Sequence, residues 1–278
     1  MALSITSLNS GSNGNCYYVG NETEAVLVDV GISCRELERR MLRSGLSMQK
    51  VKAIFISHEH IDHIRGLEYT SRKYKLPVYI TDPTYQNSRM KLSETELRPF
   101  KGYEAITFGG LSVTAFPKFH DAADPFSFIV EGNGITVGVF TDIGSCCEHV
   151  IENFKKCHAI FLEANYDEKM LEFGNYPYHL KKRIRSNRGH LSNDQALKLF
   201  VDHKPEFMTH VFLSHLSKDN NDPELARNLF LKHAGETNIV IASRYKETEV
   251  YSIGGNNLGD QKSSEDNSGN ETVQMSLF

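Results

Sequence analysis

Tryptophan is absent from these 278 residues, and no run approaches the roughly 18 consecutive apolar residues of a membrane span. The opening MALSITSLNSGSNGN has no basic start followed by an apolar core, so it does not read as a secretory signal. Cysteine is scarce. Cys16, Cys34, Cys146, Cys147 and Cys157 are odd in number and lack zinc-ribbon spacing, which fits reduced and mostly packed thiols and an expected cytoplasmic location. A large charge excess is missing too. The formal net charge of −4 argues against a chain that coats nucleic acid non-specifically, but leaves room for a local basic site beside a metal centre.

What is present is core material: 40% hydrophobic residues, with 16 Phe and 12 Tyr, enough for one large domain or two fused halves. Residues 16–19 and 25–28 predict a hairpin after a Gly/Ser/Asn loop. Ser33 is a candidate N-cap for a helix over 35–43 that places Leu37, Met41 and Leu42 on one side. Strands are predicted at 51–56, 78–80 and 111–116, and at 126–130 and 135–140 around the hairpin signal Gly132-Asn133-Gly134. The second half repeats the style, with strands at 159–162, 208–213, 238–242 and 249–253 and helices at 193–203 and 223–233. Two sets of strands with helices between them predict an α/β fold, a four-layer αββα sandwich over residues 1–253. Residues 254–273 then turn Gly/Ser/Asn-rich and acidic, a composition that cannot offset its ordering entropy and reads as a disordered linker.

The most informative segment is HEHIDH at 58–63, directly after the apolar AIFIS. Residues two apart on extended backbone point the same way, so His58 and His60 can share one metal ion. A turn into a following helix brings Asp62 and His63 toward a second. Imidazole and carboxylate donors suit Zn, Mn or Fe(II) rather than Ca or Mg.

H-x-H-x-D-H resembles the signature of the metallo-β-lactamase fold, and further motifs of that family follow in order. Asp29 stands in LVDVG, His120 in PKFHD, Asp142 in VFTDIG and His215 in FLSHLS. The resemblance implies that His58, His60 and His120 bind one ion and that Asp62, His63 and His215 bind another. Asp142 would bridge them and Asp29 would orient the ligand loop. Any one of these residues alone is more often structural; their order is the signal. Two divalent ions, Zn or Mn with Fe possible, would then activate a water for hydrolysis.

Substrate is a separate question, because the fold hosts many chemistries. Glu163 after a strand and His190 in GHLS resemble the paired motifs of phosphodiesterases such as tRNase Z, where the His protonates the leaving oxygen. Asp62, Asp142, Glu163 and His190 are therefore the catalytic candidates. The segment HLKKRIRSNRGH at 179–190 concentrates Lys181, Lys182, Arg183, Arg185 and Arg188 just before His190. With Lys118, Ser192 and Asn193, the run 182–188 supplies candidate phosphate-binding residues. The opening SGSNGNCYYV, GHLSN and LSHLSKDNN together resemble the WalJ (YycJ) family of bacterial proteins. That resemblance implies a 5′-to-3′ exonuclease acting on DNA, linked to replication or repair, and the chain has no room for an inserted β-CASP domain.

The last five residues, QMSLF, resemble the peptide by which bacterial repair proteins dock on the sliding clamp. Met275, Leu277 and Phe278 would fill an apolar groove while Gln274 makes polar contacts, on a flexible tether. Competing readings are a tRNase Z-like endoribonuclease, which lacks its tRNA-gripping arm here, and a small-molecule thioester or lactone hydrolase. A non-catalytic member fits poorly with a complete ligand set.

Overall fold

Strands that are buried on both faces read as continuous apolar runs, and that is how this sandwich is written. The computed structural model describes residues 2–254. Strands β1 (Leu3–Asn9), β2 (Cys16–Gly20), β3 (Ala25–Val28), β4 (Val51–Phe55), β5 (Val78–Tyr79) and β6 (Leu97–Arg98) lie side by side in chain order in one sheet. The second sheet holds β7 (Ala105–Phe108), β8 (Leu111–Pro117), β9 (Phe126–Gly132), β10 (Ile135–Phe140), β11 (Ala159–Glu163), β12 (His210–Ser214) and β13 (Asn238–Ile241), again in chain order. Strand β14 (Tyr251–Ile253) returns to pair antiparallel with β1, so the chain's two halves are closed by its own end.

Three apolar layers fill the spaces between four layers of structure. Val26, Val28 and Phe55 of the first sheet meet Phe128, Phe161 and Phe212 of the second, with Tyr17 and Phe161 ring centroids 4.9 Å apart. The alternate residues Leu27 and Ile54 face α1 (Cys34–Arg43) and its neighbours α2 (Ile61–Ile64), α3 (Leu67–Tyr74) and α4 (Asp82–Ser88). On the far side, Ile160, Leu162, Val211 and Leu213 pack against helices of the second half. These are α5 (Glu148–Phe154), α6 (Glu168–Phe173), α7 (Tyr178–Ile184), α8 (Asn193–His203) and α9 (Pro223–Leu231), of which α5, α8 and α9 carry that contact through Phe154, Phe200 and Phe230. The period of two along each strand decides which layer each side chain joins. The αββα sandwich stands.

Several local expectations change. Leu42 is 79% exposed, whereas Leu37 and Met41 are buried. Positions 37 and 41 are one turn apart and share a face, but position 42 is rotated about 100° from 41 and leaves it. Strand β1 is additional to the elements the sequence predicts. Thr6 is buried by donating from Oγ1 to the Thr248 carbonyl at 3.0 Å, while Leu3 and Ile5 enter the core. Other boundaries move by a few residues at either end. The linker at 254–273, apart from its first residue, and Gln274, Met275, Leu277 and Phe278 lie outside the described residues. Among the described residues, no helix is long and apolar enough to cross a membrane.

Strands β3 and β4 run parallel, as do β10, β11, β12 and β13, so their carboxyl ends gather at one edge of each sheet. That edge is where α/β sheets place ligands. Gly31, just beyond β3, lets the chain there approach closely: a Cβ at this position would lie 1.7 Å from the Asp62 carbonyl oxygen.

Candidate metal centre

The candidate ligands sit just past strand carboxyl ends, except Asp62 and His63, which the first turn of α2 brings round. Asp29 follows β3, His58 and His60 follow β4, His120 follows β8, Asp142 follows β10, and His215 follows β12. Three of them occupy the left-handed region, with φ of 60° at Asp29, 53° at Asp142 and 54° at His215. Non-glycine residues rarely adopt this backbone, and its cost is tolerated where surrounding structure imposes it. Here a sharp turn at each strand end brings the side chain to the cluster, Asp142 and His215 into the ligand groups and Asp29 onto His63.

One buried carboxylate sets the tautomers of His58 and His63. Asp29 accepts from Ser57 N at 2.8 Å, from Ser57 Oγ at 2.8 Å and from His63 Nδ1 at 2.7 Å. Ser57 Oγ has given its only proton to Asp29, so it must accept from His58 Nδ1 at 2.9 Å. That leaves His58 Nε2 with a lone pair. His120 Nδ1 donates to the Gly189 carbonyl at 3.0 Å, which frees its Nε2 likewise. His58 Nε2 and His120 Nε2 lie 3.0 and 3.3 Å from His60 Nδ1, so three ring nitrogens converge on one point. Burial lowers the proton affinity of His58 and His60, and brings His120 down to about 3, so all three are neutral and ready to ligate.

Beside this group, Asp62, His63 and His215 converge as a second set, and Asp142 lies between the two. Asp142 Oδ1 is 3.7 Å from His120 Nε2, and its Oδ2 is 3.0 Å from His63 Nε2. Asp142 Oδ2 is buried without a hydrogen-bond donor. The 3.0 Å contact does not supply one to a neutral His63, because that ring's proton is committed to Asp29 through Nδ1. A cation between the two atoms satisfies both. In its place a second proton does so: burial opposes a charge on His63, but Asp142, Asp29 and Asp62 outweigh it and raise the ring to about 10. His215, buried but facing Asp142, Asp62 and Glu163, is raised well above its ordinary value. Nitrogen and carboxylate donors in these two sets are the chemistry that holds divalent transition-metal ions.

Glu163, at the last position of β11, is fully buried and accepts four hydrogen bonds. Oε1 takes His190 Nδ1 at 2.8 Å and His215 Nδ1 at 2.9 Å. Oε2 takes the Ile143 and Leu191 backbone amides at 2.7 and 3.2 Å. All its lone pairs are used, so although it stands close enough to join a ligand group with Asp142, His190 and His215, it has none left for a metal ion. Burial disfavours its charge, yet His190 and His215 hold it ionised, at about 2. His190 keeps Nε2 uncommitted, with its side chain 18% exposed.

Other expected substrate contacts are not available as such. Lys118 is 5% exposed and donates to the Thr141 carbonyl at 2.6 Å, a buried cation under Asp142, Asp29 and Glu163 rather than a surface grip. Ser192 caps α8 in a capping box with Gln195, and Asn193 exchanges hydrogen bonds with Asn221; both side chains are buried. Within the basic run, Arg183 is paired with Asp121, Arg185 with Glu172 at 2.5 Å, and Lys181 donates to the Glu172 carbonyl. Arg188 Nε donates to the His120 carbonyl at 3.3 Å and so braces the site from behind. Asp121 and the acids of α6, invisible as partners in the linear sequence, neutralise Arg183 and Arg185; Lys181 and Arg188 bond only to carbonyls, and the Lys182 side chain has no ion pair or hydrogen bond among the described residues.

Sequence reasoning missed the loop 10–15 as part of the site. Asn15 Nδ2 lies 3.0 Å from His63 Nε2 and 3.2 Å from Asp62 Oδ2, and Ser10 Oγ accepts from the His215 amide at 2.7 Å. The Gly/Ser/Asn composition signalled a turn, but nothing in it told which side chains would face inward.

A β-lactamase superfamily domain matches residues 24–215. The chain is 36% identical over 230 residues to "Exodeoxyribonuclease YycJ" of Bacillus anthracis, covering 82% of this chain and 87% of that protein. It is 29% identical over 244 residues to "Exodeoxyribonuclease WalJ" of Streptococcus pneumoniae, covering 86% and 91%. Among solved structures, the metallo-β-lactamase fold protein YhfI from Bacillus subtilis superposes with a TM-score of 0.70 at 16% identity, covering 91% of this chain and all of that one, a likeness of fold alone.

The protonation pattern makes the two ligand sets behave differently. Filling the set of His58, His60 and His120 near neutral pH displaces no protons, while filling the set with His63 and His215 displaces about one to two per chain. Affinity of the second set therefore rises with pH up to about 10, where His63 gives up its extra proton. Calorimetric titration of Zn into metal-free protein, in buffers of different ionisation enthalpy, measures this directly; buffer-independent heats for both sets would contradict it.

Proposed function

The chain belongs to the β-lactamase superfamily and, within it, to the family of the YycJ and WalJ proteins, and on that premise we propose that it is a dinuclear metal-dependent phosphodiesterase that degrades DNA in the 5′-to-3′ direction. Relatives that span nearly its whole length are named exodeoxyribonucleases. The observation that carries the reading is the Glu163 clamp, which fixes His190 and His215 through one carboxylate oxygen at 2.8 and 2.9 Å. A β-lactam needs no such clamp, but a phosphodiester with a poor leaving group needs a positioned proton donor.

His58, His60 and His120 would hold one ion and Asp62, His63 and His215 the other, with Asp142 reaching toward both. Bound Zn or Mn supplies an acidified water and polarises a phosphoryl oxygen. Asp29 keeps the His58 and His63 lone pairs aimed at the ligand positions. Glu163 holds His190 by Nδ1, so Nε2 is the atom that passes a proton to the leaving oxygen. Lys118 offsets the carboxylates beneath them without touching substrate. A second reading, hydrolysis of a small thioester or lactone, draws support from the basic run, where Arg183 and Arg185 are already paired with Asp121 and the acids of α6.

Incubation with end-labelled single- and double-stranded DNA and RNA, in Mn or Zn, separates these. The expected result is DNA shortened progressively from its 5′ end. Asp142→Ala lowers kcat at least about 10³-fold, and His190→Ala and Glu163→Gln lower it about 10²-fold. A small chromogenic ester turned over while every polymer stays intact would replace this reading with the second. The link to replication or repair rests on the last five residues docking on a bacterial sliding clamp. Full-length protein and a version ending at residue 273 should differ at least about tenfold in clamp affinity, and equal affinity removes that link.

A further inference from the structure

Beside His215 runs a groove of about 130 Å³ between residues 216–218 and residues 241–245. Its wall includes Ser10, whose Oγ accepts from the His215 amide, so it abuts the metal-ligand loop directly. Its walls are mostly apolar, with Leu216, Pro223 and Ile241, and two cations stand among them. Lys218 is exposed, while Arg244 is half-buried, and its Nη1 is buried without a hydrogen-bond partner among the described residues. Its Nη2 reaches only Ser12 Oγ at 3.3 Å. A guanidinium N–H left unpaired in a buried position lacks an acceptor that the fold does not supply.

The surroundings favour an anion with an aromatic base attached. Ser217 and Ser243 accept from the Asn220 and Tyr245 amides; Ser217 also bonds toward the Tyr176 hydroxyl, so Ser243 is the one left with a hydroxyl proton to donate. The neighbouring acid, Asp219, accepts from the Tyr176 hydroxyl at 3.0 Å. Tyr245 stands at the rim with 71% of its surface exposed. Cavities that enclose whole ligands run to about 300–1,000 Å³, so this groove takes a phosphate and not a complete nucleotide. A base attached to that phosphate must lie over the rim, where the tyrosine ring is.

We propose that this groove is a strand-binding subsite for DNA: Arg244 and Lys218 hold a phosphodiester neighbouring the reacting one, and Tyr245 stacks on the adjoining base. The proposal rests on the phosphodiesterase reading above. It makes the 241–245 segment a determinant of polymer over small-molecule substrates.

Fluorescence anisotropy with a labelled single-stranded DNA oligonucleotide, across a salt series, tests it on the metal-loaded full-length protein. Lys218→Ala and Arg244→Ala each raise Kd about five- to tenfold and reduce the slope of log affinity against log salt by about 0.7, the loss of one phosphate contact. Arg244→Lys restores the slope. Tyr245→Ala weakens binding about fivefold or more and leaves the slope unchanged. Turnover of a small chromogenic phosphodiester, too short to reach the groove, stays at the wild-type rate in all four. Should Arg244→Ala fail to fold, as melting would show, Lys218 and Tyr245 are exposed and carry the test alone. Wild-type Kd and slope in Lys218→Ala together with wild-type Kd in Tyr245→Ala overturn the subsite while leaving the phosphodiesterase reading intact. A wild type that turns over the small diester but neither binds nor cuts DNA overturns both.

Discussion

Asp29 is the side chain on which the rest of the site turns. It is wholly buried, held in a left-handed backbone, and accepts three hydrogen bonds from Ser57 and His63. Those bonds fix which ring nitrogen of His58 and His63 carries a proton, and so which carries the lone pair that faces the centre. Without that carboxylate each imidazole is free to choose its tautomer, and the convergence of lone pairs becomes a matter of chance.

The sandwich exists, in this sense, to bring strand ends together. Parallel strands in both sheets deliver their carboxyl ends to one edge, and the buried Phe and Tyr layer between the sheets holds those ends in register. Strained backbone at Asp29, Asp142 and His215 is sustained by that packing and by hydrogen bonds that the His215 and Ile143 amides donate to Ser10 Oγ and Glu163 Oε2. Stability supplied by the core thus maintains an arrangement of like charges and facing lone pairs that is unfavourable until a cation sits among them.

How much of this is legible in the sequence depends on whether a residue's role is local. HEHIDH declares itself, because the spacing and the preceding strand already constrain geometry. Asp142 and His215 are readable only by their order after that motif, since a lone Asp or His after a strand says little. Asn15 and Ser57 are not readable, for they act across 48 and 28 positions on His63 and Asp29. Charge was the least reliable guide. Lys118 looks like a substrate contact until its burial is seen, and the basic run looks free until Asp121, Glu168 and Glu172 come to meet it. Conversely Arg244, which stands alone in the sequence, has an unpaired buried nitrogen that only the fold shows.

The central claim is that seven dispersed side chains form two adjoining cation sites. Elemental analysis of protein purified without chelator, beside a His58→Ala and a His215→Ala variant, tests it most directly. Wild-type protein should carry two transition-metal ions per chain, and each variant should lose at least one. A wild type that holds none, or variants that hold as much metal as the wild type, would contradict it.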